Sequence, residues 1–225
     1  MTDETDSGIY ETLAELERSG VGMLANDNLS GSGVDPLDVK MRATAVIRRL
    51  LDALVIDRFN DPNTRETAER VGQMLVDEWF KGRYQPRPKM TAFPNTKKLD
   101  ELYTVGPIQV RSTCSHHLVP IEGRCWIGVV PGDTLIGLSK FARLCEWVMA
   151  RPQIQEEATV QLADEIEGLI QPLGLGVVVK ARHLCMTSRG VREPAAEMTT
   201  SVMRGILRED ARARSEFFEL LRVGQ

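Results

Sequence analysis

All three histidines of this chain stand beside two of its four cysteines, in Cys114-Ser115-His116-His117 and His183-Leu184-Cys185. Thiolate and imidazole are ligands that zinc accepts readily, and their softness favours zinc or iron over magnesium. The spacing of Cys114 and His117 lets one short loop offer two donors to one ion. Cys185 adds a third donor from a segment 71 residues further along the chain, so the fold has to bring the two segments together. Three protein ligands leave one tetrahedral position open for water, as in a catalytic zinc centre. A structural zinc wants a fourth ligand, for which Cys125 and Cys145 are candidates. Free cysteines also serve as small buried hydrophobes, so each cluster alone is weak evidence and the pair is stronger.

His116 and His183 remain once Cys114, His117 and Cys185 take the metal. Imidazole titrates near neutrality and can pass protons at physiological pH; the alternative role is a packed histidine that orients a ligand. A second group of candidates lies in Gly137-Leu138-Ser139-Lys140-Phe141-Ala142-Arg143. Ser139 and a helix N-terminus offer donors to an anion, Lys140 adds charge, and Arg143 follows one turn later. Arg189-Gly190 is another candidate anion contact. By themselves these residues better suit a solvated helix start. Gln155-Glu156 opens a further helix, where a carboxylate either complements the helix dipole or accepts two N–H bonds from a base such as guanine.

The elements that must position these residues are readable in outline. Residues 1–33 are polar and end in Asn26-Asp27-Asn28-Leu29-Ser30-Gly31-Ser32-Gly33, which predicts a flexible tail with a short amphipathic helix around Ile9 to Leu16. Residues 34–100 form an N-terminal helical region. Asp35 caps its first helix, Pro36 suits the first position, and Ala43, Val46, Ile47, Leu50, Leu51 and Leu54 recur at helical spacing. A second helix runs from about Thr64 or Thr67 to Lys81 with Gly82 as its stop, and residues 83–98 read as a loop. Residues 101–225 form the α+β domain. Strands are expected at Pro107 to Thr113 and Gly123 to Val130, then a helix capped by Ser139, then a helix opened by Gln155-Glu156. Strands around Leu175 to Ala181 and Thr199 to Leu207 follow, and a last helix is capped by Asp210 with Phe217, Phe218 and Leu221 on its apolar side.

Bulk composition narrows the function. The net charge is −4, with 42% hydrophobic and 27% charged residues. That is an ordinary globular composition, and it argues against nucleic-acid binding by phosphate neutralisation. No apolar run approaches the ~20 residues needed to cross a bilayer. The acidic start Met1-Thr2-Asp3-Glu4 resembles no signal or transit peptide, so a cytoplasmic protein with reduced thiols is expected.

Together the motifs resemble those of the GTP cyclohydrolase I family. They are Ser112-Thr113-Cys114, His116-His117-Leu118-Val119-Pro120, Gly137-Leu138-Ser139-Lys140, Arg151-Pro152-Gln153-Ile154-Gln155-Glu156, His183 with Cys185, and Arg189-Gly190. They occur in the family's order and spacing, and the likeness spans roughly residues 36–222. It implies the tunnelling fold preceded by N-terminal helices, a homodecamer with sites at subunit interfaces, and conversion of GTP and water to 7,8-dihydroneopterin triphosphate and formate, the entry to folate and other pterins. The resemblance makes Cys114, His117 and Cys185 zinc ligands, and His116 and His183 the acid–base pair. It assigns Gln155 and Glu156 to guanine recognition, and Ser139, Lys140, Arg143, Arg189 and Arg70 to the triphosphate. Zinc would lower the pKa of water for attack on the purine. Two positions depart from the pattern: Ser115 stands where many members have Glu, and Gln73 where a Lys often faces the triphosphate. These departures admit a divergent paralogue acting in another pterin or deazapurine pathway, or a nucleotide- or pterin-binding homologue without turnover.

Overall fold

Asp35 accepts the Leu37 amide at 2.9 Å and Pro36 follows it, so helix α1 (Pro36–Ala53) begins where its capping residues dictate. The computed structural model describes Arg18 and residues 24–223; the helix expected around Ile9 to Leu16 lies outside the described residues. The chain divides into two compact units after Pro86. In the first, α1 lies against α2 (Thr67–Gln73), burying Ile47, Leu51 and Ala68. This contact covers only a narrow stripe of α1. Val46, Leu50 and Leu54, expected on the same apolar face, stay 42–60% exposed.

α2 does not run on to Gly82. It passes into a wider π-helical turn (Met74–Trp79), closed by the Phe80 amide on the Leu75 carbonyl at 2.8 Å, and Gly82 sits inside a short helix α3 (Lys81–Tyr84). Residues 24–33 also differ from the flexible tail expected of them. The Asn28 amide donates to the carbonyls of Gly82 and Gln85, the Arg83 guanidinium to those of Ala25 and Asp27, and Leu29 is buried. Polar composition suggested a solvated tail. These polar groups are instead consumed by the open carbonyls at the end of a helix.

The second unit begins before residue 101. Strand β1 (Ala92–Pro94) pairs antiparallel with β4 (Thr134–Ile136), and the Asn95 amide donates to the Gly132 carbonyl. Three residues containing a proline carry no alternation, which is why this strand reads as loop. The main sheet holds β2 (Tyr103–Cys114), β3 (Pro120–Val130), β5 (Pro152–Gln153), β6 (Gly174–His183) and β7 (Met198–Gly205) in the order β5-β2-β3-β6-β7. Its four long strands are antiparallel, and β5 runs parallel to β2. Between β3 and β6 come helices α4 (Leu138–Met149) and α5 (Gln155–Ile170). The order strand-strand-helix-helix-strand-strand is that of the tunnelling fold.

Alternation along the strands sorts the two faces. Cys125, Ile127, Val129, Leu175, Val177 and Val179 point to the face covered by α4 and α5. There they meet Phe141, Leu144, Val148, Leu162 and Ile166 in the main core. Trp126, Val130 and Val178 point to the other face, beneath α7 (Ile206–Glu209) and α8 (Ala211–Val223), where Leu207, Phe217 and Leu221 complete a second core. Asp210 accepts the Arg212 amide at the start of α8 as expected, but Phe218 is 39% exposed while its neighbour Phe217 is fully buried. One helical step of about 100° separates them, and only one can face the sheet.

Candidate active site

β2 ends at Cys114 and β3 starts at Pro120, so residues 115–119 are a tight connection carrying both His116 and His117. Cys114 closes it twice: its carbonyl accepts the Leu118 amide at 2.8 Å and its amide donates to the Val119 carbonyl at 2.9 Å. Leu118 takes φ +52°, the left-handed turn that reverses the chain. On the other side of β3, Ile121 stands opposite His183, the last residue of β6. The chain then coils into α6 (Leu184–Thr187), which holds Cys185. Antiparallel pairing therefore joins the two motifs although they are far apart in sequence.

The donor atoms of Cys114, His117 and Cys185 all lie within 4.8 Å of one another. Two thiols and an imidazole are a zinc-type donor set, the three atoms are close enough for one ion to reach all of them, and the residues fit such an ion. Cys114 is buried, and its Sγ lies 3.9 Å from Nδ1 of His117 and 3.7 Å from Nδ1 of the exposed His116. Burial and the neighbouring Cys114 thiol push the Cys185 thiol up, with Arg189 pulling the other way. Arg189 donates from its guanidinium to Nε2 of His117 at 2.8 Å. Cys125 and Cys145 supply no fourth donor. Both are completely buried in the main core, where the hydrogen bond the Cys125 thiol makes to Cys145, together with burial, raises the Cys125 thiol.

Beside this trio is His183, half-buried, with Nε2 2.9 Å from Oε1 of Gln155. Burial lowers its pKa and the Glu156 carboxylate opposes that shift. β5 sets this side of the site: Gln153 pairs with Cys114, its carbonyl accepts the Ser115 amide at 3.2 Å, and α5 starts two residues later. Glu156 is exposed at the first turn of α5 and free to meet a ligand. Gln155 is not. Its side chain is 3% exposed and its amide is used up inside the protein by Val179, Met198, Thr200 and His183. The expected guanine-recognition segment thus turns the Gln155 side chain inward and leaves its main chain and Glu156 at the start of α5. A sequence pattern that pairs the two residues carries no sign of that difference.

The anion candidates are spread out. Ser139 and Lys140 are in the first turn of α4 and Arg143 is one turn on; Gly137, not Ser139, is the N-cap, its carbonyl accepting the Lys140 amide at 2.9 Å. Lys140 Nζ donates to the Lys89 carbonyl. The far end of α4 is the one tied to β5, through the Gln153 amide on the Val148 and Met149 carbonyls. A 12-residue helix is about 18 Å long, so Ser139 and Lys140 stand at the opposite end of α4 from its tie to β5. Arg70 lies in the other unit, exposed and paired with Glu66 at 2.7 Å; Gln73 ends the same helix.

Fold and site together bring three soft-metal donors beside an imidazole held by a buried glutamine. The GTP cyclohydrolase I family model matches residues 43–222. GTP cyclohydrolase 1 of Vibrio cholerae serotype O1 is 35% identical over 208 residues, 92% of this chain and 94% of that protein. The Serratia proteamaculans enzyme of that name is 34% identical over 213 residues, 94% of each. GTP cyclohydrolase 1 2 of a Nostoc strain is 45% identical over 127 residues, 56% of this chain and 59% of that one. Among solved structures, an archaeosine synthase QueF-Like in the apo form aligns with TM-score 0.36 and 13% identity, over 53% of this chain and 97% of its own. The chain belongs to the GTP cyclohydrolase I family, and it is an enzyme. Among the described residues no helix is long and apolar enough to cross a membrane.

Proposed function

We propose that this protein converts GTP and water to 7,8-dihydroneopterin triphosphate and formate at a zinc centre held by Cys114, His117 and Cys185, supplying folate and pterin synthesis in the cytoplasm. The observation that carries the reading is the convergence of those three donors within 4.8 Å in a member of this family. Zinc, when bound, would supply Lewis acidity to activate water. The chain's own residues do the rest. Glu156 at the α5 N-terminus accepts the guanine N–H groups with the imidazole half of the purine toward His183, an orientation supported by the charge coupling of Glu156 to that side chain. His183 carries the proton to a ring nitrogen as the ring opens, and exposed His116 on the neighbouring loop serves later proton transfers. Ser139, Lys140, Arg143, Arg189 and Arg70 hold the triphosphate, so a protein of net charge −4 still binds a polyanion locally.

The same reading makes the enzyme a homo-oligomer, a decamer in this family, with each site shared between chains. Two observations support it. The α4 N-terminus is at the opposite end of that helix from its tie to β5, and exposed apolar residues flank the buried stripe of α1 on both sides, Leu37 and Met41 on one and Val46 and Leu50 on the other. Mixing His183→Ala with Lys140→Ala protein after co-refolding is expected to restore turnover that neither variant has alone. Mixed assemblies with no recovery would place both halves of the site in one chain.

The substrate is tested directly. Zinc-loaded protein given GTP should release formate and a fluorescent pterin, identified by mass. His183→Ala should lower kcat by about a hundredfold or more while keeping the metal. Binding of GTP without formate release, or a product altered at its phosphates, would remove this assignment.

A further inference from the structure

Gln155 is bonded at both ends of its side-chain amide, and the orientation of that amide is fixed: Nε2 shares its two protons among three acceptors, and Oε1 faces His183. Its Nε2 lies 3.1 Å from the Val179 carbonyl and 3.2 Å from the Met198 carbonyl. A flipped amide would set its oxygen against two carbonyl oxygens, so the nitrogen belongs there and Oε1 belongs toward His183. The hydroxyls agree independently. Thr159 Oγ1 donates to the Gln155 main-chain carbonyl at 2.7 Å, which uses its only proton. The 2.8 Å contact between Thr159 and Thr200 therefore runs from the Thr200 hydroxyl to Thr159 Oγ1. Thr200 Oγ1 is left to accept from Gln155 Nε2, at 3.0 Å. Each of the two threonine hydroxyl protons thus has one assignable acceptor, and both assignments return the same amide orientation.

An amide oxygen can only accept. The 2.9 Å contact between Gln155 Oε1 and His183 Nε2 therefore needs a proton on Nε2. We infer that Gln155 is a positioning residue that holds neutral His183 in its Nε2–H tautomer and fixes its ring plane, leaving Nδ1 as the ring nitrogen that Gln155 does not engage. The buried support is what makes the device rigid, because Gln155 and Thr159 are 3% and 1% exposed and sit on the first turns of α5. This inference rests on the reading of His183 as the proton carrier.

The test reads the tautomer apart from turnover. Long-range 15N–1H correlation spectra at one fixed pH resolve the ring nitrogens of only three histidines, with His183→Ala as the assignment control. Wild-type protein, with or without zinc, should show His183 protonated at Nε2 and bare at Nδ1. Gln155→Ala should lose that preference and lower kcat about ten- to hundredfold, with KM for GTP changed less than about threefold. Thr200→Val keeps both carbonyl acceptors and should keep the tautomer and at least about a third of wild-type kcat. If Gln155→Ala does not fold, the wild-type spectrum still decides. A His183 protonated at Nδ1 overturns the inference, as does Gln155→Ala with an unchanged tautomer or with its whole loss in KM. Protein that shows the expected tautomer change but releases no formate from GTP supports the positioning role and removes the substrate assignment instead.

Discussion

Cys185→Ser is expected to release the metal and to lower formate production from GTP by about a thousandfold or more. A Lewis-acid ion contributes several kcal/mol at the transition state, and each 1.36 kcal/mol is a factor of about ten. Cys185 is the vulnerable ligand because of where it sits. Cys114 is buried at the end of β2 and fixed by two main-chain hydrogen bonds, and His117 is on the same short loop. Cys185 comes alone from α6, four residues long, and is only partly buried. Losing it leaves one thiol and one imidazole, too few donors to hold zinc tightly. Fold should survive, since Cys185 packs only at the margin of the small cluster of Cys114, Ile121 and Ala181. The checks are metal per chain by mass spectrometry, formate release and the thermal melt. A variant that keeps one zinc per chain and full turnover would sink the assignment of Cys185.

Phe217→Ala is expected to cost about 3–5 kcal/mol of stability. The ring is completely buried and lies on two glycines, Gly128 of β3 and Gly176 of β6, which stand opposite each other in the sheet. A Cβ on Gly128 would come within 2.4 Å of the ring, and one on Gly176 within 2.9 Å. The paired glycines make a flat seat that a side chain would fill, so removing the ring leaves a cavity the sheet cannot close. For a chain of this size the loss corresponds to a fall in Tm of roughly 6–20 °C. Phe218→Ala, one residue along and turned outward, should stay within about 1 kcal/mol. Equal effects at the two positions would show that α8 does not seat on the glycines as described.

The chemistry of the site was legible because it is written in scarce residue types. Three histidines in two clusters with cysteines mark where donors for a soft metal converge, and the strand and helix patterns around them alternate cleanly enough to give the strand-strand-helix-helix-strand-strand order. The cap of α1 was also legible, since Asp35 and Pro36 act through neighbours in sequence. What failed to show were features whose partners are remote. β1 is three residues with a proline, and only β4 makes it a strand. Residues 24–33 have linker composition, and they are ordered by the carbonyls of Gly82, Arg83 and Gln85 and by the Arg83 guanidinium. Gly82 reads as a stop, but the π-helical turn before it had already ended the helix.

By itself, the sequence determined which side chains can bind a soft metal or move a proton, because ligand preference and ionisation belong to residue types. It also determined the periodicities that sort the sheet's faces. The tertiary structure alone decided which of those side chains meet. It set Cys185 beside Cys114 through the register of β6 on β3, withdrew Cys125 and Cys145 into the core, and turned Gln155 inward while leaving Glu156 outside. Such choices depend on distances between residues far apart in the chain, and those distances are set by strand register and helix packing.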